Sequence, residues 1–277
     1  MIARIVLVAV VLLLAAPLRA ETPLERGSYL MSSIVACGNC HTAQGPKPGP
    51  EFAGGTKFEE QPFTAYAPNI TPDRETGIGA WTDAQIIAAI REGKRPNGSL
   101  IGPPMPIELY RGISDTDVAA LVAYLRKVKP VKNAVPKSVY RISLPPSYGP
   151  PVTAIPDVPR GNAVQYGAYL AGSLGHCIEC HSPLVNGRRD FARAGAGGPG
   201  IPGPWGVAVP PNITPDRNHG LGAWTDADIK RAITKGIGQH DKQLSPPMAY
   251  AYYAKIRGQD LDALVAYLRS LRPQATP

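Results

Sequence analysis

The chain is written twice, and that limits its fold more than any other feature. "RGSYL" (Arg26–Leu30) returns as "YGAYL" (Tyr166–Leu170) at an offset of 140. "APNITPDRETGIGAWTDAQI" (Ala67–Ile86) returns as "PPNITPDRNHGLGAWTDADI" (Pro210–Ile229) at an offset of 143, as do "PPM" (Pro103–Met105) and "ALVAYLR" (Ala120–Arg126). A fixed register over such distances marks a tandem duplication of a unit of about a hundred residues. Each copy carries one C-x-x-C-H: "CGNCH" at Cys37–His41 and "CIECH" at Cys177–His181.

Three chemistries use closely spaced cysteines. Two C-x-x-C pairs can make a four-thiolate zinc site, four cysteines can form disulfides in an oxidising compartment, and C-x-x-C-H attaches c-type haem through both thiols. Only the haem reading uses the histidine in each motif, which then supplies an imidazole to iron. It also suits two complete motifs in separate copies. Each copy is therefore expected to hold one covalently attached haem c, with Cys37 and Cys40 or Cys177 and Cys180 on the ring and His41 or His181 on the iron.

A sixth iron ligand is still needed, and a methionine thioether raises the reduction potential. Of four methionines, Met1 leaves with the leader and Met31 has no counterpart, whereas Met105 and Met248 align after Pro-Pro. A proline-stiffened loop presents a side chain rather than packing it, so these two are the expected ligands. His176, His219 and His240 do not recur and read as surface residues, with His240 the one histidine able to displace Met248. Trp81 and Trp224 either donate an indole N–H to a haem propionate or sit in the core. Asn69 and Asn212 either hold a propionate or brace a turn.

The start "MIAR" followed by the apolar run Ile5–Ala16, then Pro17 and Ala20, has the layout of a secretory signal peptide, and residues 1–20 are expected to be removed in a periplasmic protein. The competing reading is an uncleaved anchor, but the run is short of the roughly 20 residues a span needs. Losing Arg4 and Arg19 leaves 27 Lys and Arg against 21 Asp and Glu, a net +6, and four propionates lower it to about +2. The basic residues are scattered, which argues against nucleic acid.

Thirty-one prolines and 29 glycines imply long loops between few helices, with no alternation long enough to argue for a sheet. Three helices per copy are expected. In the first copy these are Pro23–Val35, one capped by Thr82 with Gln85 and ended by Gly93, and one capped by Ser114 with an apolar stripe of Val118, Leu121, Val122, Leu125 and Val128. In the second copy Arg257 replaces the capping serine, so the last helix should start less sharply. Residues 129–162 are too proline-rich for a helix and read as an extended linker between domains at 21–128 and 163–277.

These motifs resemble the cytochrome c subunits of bacterial periplasmic or membrane-bound dehydrogenases of the alcohol, gluconate and sorbitol types, over about residues 24–130 and 164–272. The resemblance implies a mostly α chain of two tandem class I cytochrome c domains with His/Met ligation, His41 and Met105 on one iron and His181 and Met248 on the other. Those subunits commonly carry three haems and a membrane-binding helix, and this chain has two C-x-x-C-H motifs. The expected role is single-electron transfer between a dehydrogenase and an oxidase or cytochrome acceptor, with any membrane association through a partner or an uncleaved N-terminus. The competing class is a dihaem enzyme, of the peroxidase or thiosulfate-oxidising type, with one exchangeable axial position.

Overall fold

The computed structural model describes residues 20–203 and 205–276. The expected signal peptide, apart from Ala20, lies outside them. Helix α1 (Pro23–Ser32) starts at a capping box in which Thr22 accepts from the Glu25 amide and Glu25 reaches back to the Thr22 amide. Short helix α2 (Cys37–His41) carries the first cysteine motif. Hairpin β1 (Lys57–Glu60) and β2 (Phe63–Tyr66) follows, then α3 (Asp83–Glu92), α4 (Ile107–Tyr110) and α5 (Asp115–Leu125). The sequence omits that hairpin, because four-residue strands leave too little alternation to detect.

The capping signals hold. α3 begins at the Thr82–Gln85 box and ends on Gly93 at φ 65°, and Ser114 caps α5 by accepting from the Asp117 amide. Val118, Leu121, Val122 and Leu125 are at most 4% exposed, and burying each such side chain is worth roughly 1.5–3 kcal/mol. α1 crosses α5 at Gly27, where an added Cβ would lie 2.0 Å from the Ala120 carbonyl oxygen. The same crossing recurs in the second copy at Gly167, 1.9 Å from the Ala263 oxygen. Gly27→Val is expected to cost about 3 kcal/mol through forced separation of the two helices, read as a fall in thermal midpoint.

After α5 the chain forms no helix until α6 (Ala163–Tyr169), but it contributes β3 (Val139–Tyr140), which pairs antiparallel with β2. The first copy's hairpin is thus a three-stranded sheet. In the second copy α6 runs into a π-helical turn, Leu170–Leu174, before α7 (Cys177–Cys180). Hairpins β4 (Leu184–Val185) with β5 (Arg188–Arg189), and β6 (Ile201–Gly203) with β7 (Gly206–Ala208), precede α8 (Asp226–Lys235), α9 (Tyr250–Tyr253) and α10 (Gly258–Ser270). As the missing serine predicts, Arg257 gives α10 no side-chain cap.

The two copies do not hang apart on a tether. A single hydrophobic core takes Leu30, Ile34, Ile113 and Leu121 from the first and Leu170, Leu174, Ile256 and Leu264 from the second. The contact is reciprocal. Tyr29 Oη donates to Asp260 Oδ2 at 2.6 Å and accepts from the Arg257 amide at 3.1 Å. Its counterpart Tyr169 donates to Asp117 Oδ2 at 2.7 Å and accepts from the Ser114 amide at 3.1 Å. Each copy supplies the tyrosine that caps the other's last helix, a two-fold exchange within one chain. The serine itself is not replaced by the phenol: where Ser114 Oγ accepts from the Asp117 amide, the Asp260 amide of α10 turns to the Arg257 carbonyl at 3.0 Å.

Candidate haem sites

Each C-x-x-C-H is preceded by a residue in the left-handed region, Ala36 at φ 48° and His176 at φ 41°. That twist turns the chain from the first helix of the copy into the single turn that presents both thiols. All four cysteines are free, so the disulfide alternative is not what the structure shows. Among the described residues no three His, Cys, Asp or Glu side chains gather as a four-thiolate zinc site requires. Before haem attachment, desolvation pushes the thiols up, Cys37 and Cys180 to about 12 and Cys40 and Cys177 to about 11.

The histidines are set as ligands are set. His41 and His181 are 8% and 7% exposed. His41 Nδ1 donates to the Pro68 carbonyl at 2.8 Å, and His181 Nδ1 to the Pro211 carbonyl at 2.7 Å. A carbonyl can only accept, so each ring carries its proton on Nδ1 and keeps the Nε2 lone pair for a metal. Desolvation lowers both pKa values, which keeps the rings neutral. The donor set therefore fits haem: two thiols for the ring edge and one oriented neutral imidazole, twice over.

The repeated "PNITPD" block explains itself here. Its first proline supplies the carbonyl that orients the histidine, a role sequence reasoning missed because any residue has a carbonyl. Asn69 and Asn212 brace turns, accepting from the amide and hydroxyl of Thr71 and Thr214 respectively. Gly54 and Gly197 complete the support, their amides donating to the His41 and His181 carbonyls at 2.8 and 3.0 Å. The recurrence of Ala-Gly-Gly at 53–55 and 196–198 was the available signal. Gly54 sits at φ 76°, and an added Cβ would lie 2.5 Å from Pro68. Gly54→Ala is expected to cost on the order of 1–3 kcal/mol and to broaden the haem absorption of the first copy alone.

Met105 and Met248 each follow a Pro-Pro pair and are partly buried against the shared core. Trp81 and Trp224 are also partly buried against core residues. Their carbonyls accept from Arg126 and Arg269, which also bind Asp83 and Asp226, so the recurring arginine of "ALVAYLR" ties the last helix of each copy to its tryptophan turn. His219 and His240 lie at the surface. His176 departs from the surface reading: its ring stands edge-on to Tyr110 at 5.9 Å, against the first copy.

The two attachment motifs meet at the interface between copies. Asn39, inside the first motif, donates to the Pro247 carbonyl at 3.5 Å, one residue before Met248. A Cβ at Gly38 would lie 2.3 Å from Tyr252 Oη of α9. Tyr110 and Tyr253, aligned at the offset of 143, are both buried in the core that the copies share.

Comparison with known proteins gives the family. The family model described as "Cytochrome c" matches residues 24–129 and again 164–272. The chain belongs to the cytochrome c family. It is 33% identical to the fructose dehydrogenase cytochrome subunit of Gluconobacter japonicus over 94% of this chain and 55% of that one. It is 30% identical to the gluconate 2-dehydrogenase cytochrome c subunit of Pantoea cypripedii, over 89% of this chain and 59% of that one. A diheme cytochrome c-type protein of Cereibacter sphaeroides matches at 30%, over 84% and 81% of the two chains. The chain thus spans little more than half the length of the dehydrogenase subunits. With a cytochrome c match in each half, this cytochrome binds two covalent haem c groups and is an electron-transfer protein.

Proposed function

We propose that the protein is an exported dihaem carrier, taking single electrons from a periplasmic dehydrogenase and delivering them to an oxidase or a second cytochrome. The haem iron, when bound, supplies one-electron exchange between Fe(III) and Fe(II). Two cysteines of each copy would hold the ring, His41 and His181, oriented through the Pro68 and Pro211 carbonyls, would each supply one ligand to iron, and Met105 and Met248 would supply the other. Trp81 and Trp224 are proposed to donate their indole N–H groups to propionates. The units are class I cytochrome c domains at 21–128 and 163–277 joined by the proline-rich 129–162 segment. Residues 1–20 direct export and are removed. Among the described residues no helix is long and apolar enough to cross a membrane.

One observation carries this reading: each copy has a buried imidazole with its proton fixed on Nδ1, paired in register with a methionine. An iron that took both of these ligands would have no position left for substrate. Exposure of the oxidised and reduced protein to cyanide and carbon monoxide tests it. Spectra of both haems should stay low-spin and unchanged over minutes; rapid uptake by either would make that haem an enzyme centre. Intact mass should show two haems on a chain beginning at Glu21.

A further inference from the structure

The two methionine loops are pinned alike at both ends. Ile101 N donates to the Gly93 carbonyl at 2.7 Å and Leu244 N to the Gly236 carbonyl at 2.8 Å. Ile107 N and Tyr250 N donate to the carbonyls of Met105 and Met248, each at 2.9 Å. Between these pins lie residues 102–104 and 245–247, Gly-Pro-Pro and Ser-Pro-Pro, and a proline has no N–H with which to tie itself down. What fixes these stretches must come as donors to their carbonyls.

In the second copy the donor is local. Tyr250, two residues after Met248, lays its ring on Gly236, 3.0 Å from where an added Cβ would lie, and its Oη donates to the Ser245 carbonyl at 3.2 Å. The first copy has Ile107 at that position, whose side chain has nothing to donate. Two tyrosines from the segment between the copies act in its place. Tyr148 lays its ring on Gly93, 2.9 Å from an added Cβ, and its Oη donates to the Ile101 carbonyl at 2.7 Å. Tyr140 covers Gly102, 2.5 Å from an added Cβ, and its Oη donates to the Pro103 carbonyl at 3.0 Å. Both phenols are partly buried, and desolvation raises their pKa values, so at neutral pH they remain donors.

The segment that brings these two rings is itself held down on either side of them. Upstream, Asn133 Nδ2 donates to the Ala53 carbonyl at 2.8 Å, next to the Gly54 amide that supports His41. β3 then pairs with β2, and Arg141 donates to the Glu60 and Gln61 carbonyls at 2.6 and 2.8 Å. Downstream, the Val152 amide donates to Glu92 Oε1 at 3.0 Å, and the Ile155 carbonyl accepts from the Asp115 amide at 2.9 Å. Residues 129–162 thus run from the support of His41 to the loop of Met105 before they reach α6.

We propose that Tyr140 and Tyr148 are positioning residues for the first haem: from the segment between the copies they fix the loop of Met105 and so set how tightly its thioether stays on iron, as Tyr250 does for Met248. This rests on the carrier reading, in which both methionines are iron ligands, and assigns what keeps each of them there. The test uses the oxidised dihaem protein in excess cyanide, which can bind only when a thioether leaves, and follows bleaching of the methionine-to-iron charge-transfer absorption. Met248→Ala leaves only the Met105 absorption and Met105→Ala only that of Met248, so each background reports one haem. Tyr140→Phe with Tyr148→Phe keeps both rings and removes both hydroxyls. It should speed bleaching of the Met105 absorption about tenfold or more, a factor within reach of two ordinary hydrogen bonds, and leave the Met248 absorption at its own rate. Tyr250→Phe should speed only the Met248 absorption, by about threefold, as one bond would. Unchanged rates in the double tyrosine variant overturn the proposal, even where the thermal midpoint falls, since the tyrosines are then structural only. Equal acceleration of both absorptions also overturns it, as general loosening. Failure of the carrier reading looks different: the absorption is then missing before any tyrosine is changed, and the proposal falls with it.

Discussion

Asp117→Ala is expected to lower stability by about 3–5 kcal/mol, the cost of stranding a buried charge. Asp117 is 5% exposed and accepts from Arg26 Nε at 2.7 Å, Arg26 Nη2 at 3.0 Å and Tyr169 Oη at 2.7 Å. Without it the Arg26 guanidinium keeps only Tyr166 Oη at 3.4 Å, and its Nη1 is already without a partner. The thermal midpoint, followed by circular dichroism, should drop by on the order of 10 °C, since 1 kcal/mol is worth roughly 2–4 °C at this size. The counterpart Asp260→Ala removes a hydrogen bond from Tyr29 but strands no buried arginine, because Tyr166 stands where the first copy has Arg26. It should cost about 1–3 kcal/mol. The double variant Arg26→Leu/Asp117→Leu should recover most of the loss. Equal losses at 117 and 260 would show that the ion pair is not what matters.

Met105→Ala should lower one of the two midpoint potentials by on the order of 0.1 V, a fraction of the roughly 0.8 V that axial ligands command, and leave the other in place. The thioether is the softer ligand and favours the reduced state, so its loss stabilises Fe(III). Half of the methionine-to-iron charge-transfer absorption should vanish with it, and Met248→Ala should remove the other half. The protein should still fold, because Met105 and Met248 are only partly buried and sit in loops outside the helix crossings. Potentiometric titration of wild type and both variants decides the matter. Two unchanged midpoints would leave these methionines without an iron. His240 is exposed, at φ 52°, so the Met248 variant is expected not to acquire bis-histidine spectra at rest.

Much of this architecture was legible because local chemistry and repetition said the same thing twice. Thr82 with Gln85, Gly93, Ser114 and the stripe Val118–Leu125 all act within a few residues of themselves, where sequence is most informative. The two cysteine motifs were legible for the same reason. What escaped were choices between equivalent partners. A repeat shows that Tyr29 matches Tyr169 and Asp117 matches Asp260, but not that each tyrosine reaches across to the other copy's carboxylate. The carbonyls of Pro68 and Pro211 escaped because backbone groups leave no mark on composition. β3 escaped because two residues in a proline-rich stretch carry no period, and its pairing with β2 spans more than seventy residues.

The crossed tyrosines have one further consequence. A pair of identical subunits related by a two-fold axis is bound to treat both ends alike, since whatever one half presents the other must present too. Joining the halves covalently lifts that obligation. Here the halves have already drifted: arginine stands against tyrosine at 26 and 166, and serine against arginine at 114 and 257. The molecule therefore has a front and a back, and current through it can have a direction that no symmetric dimer could impose.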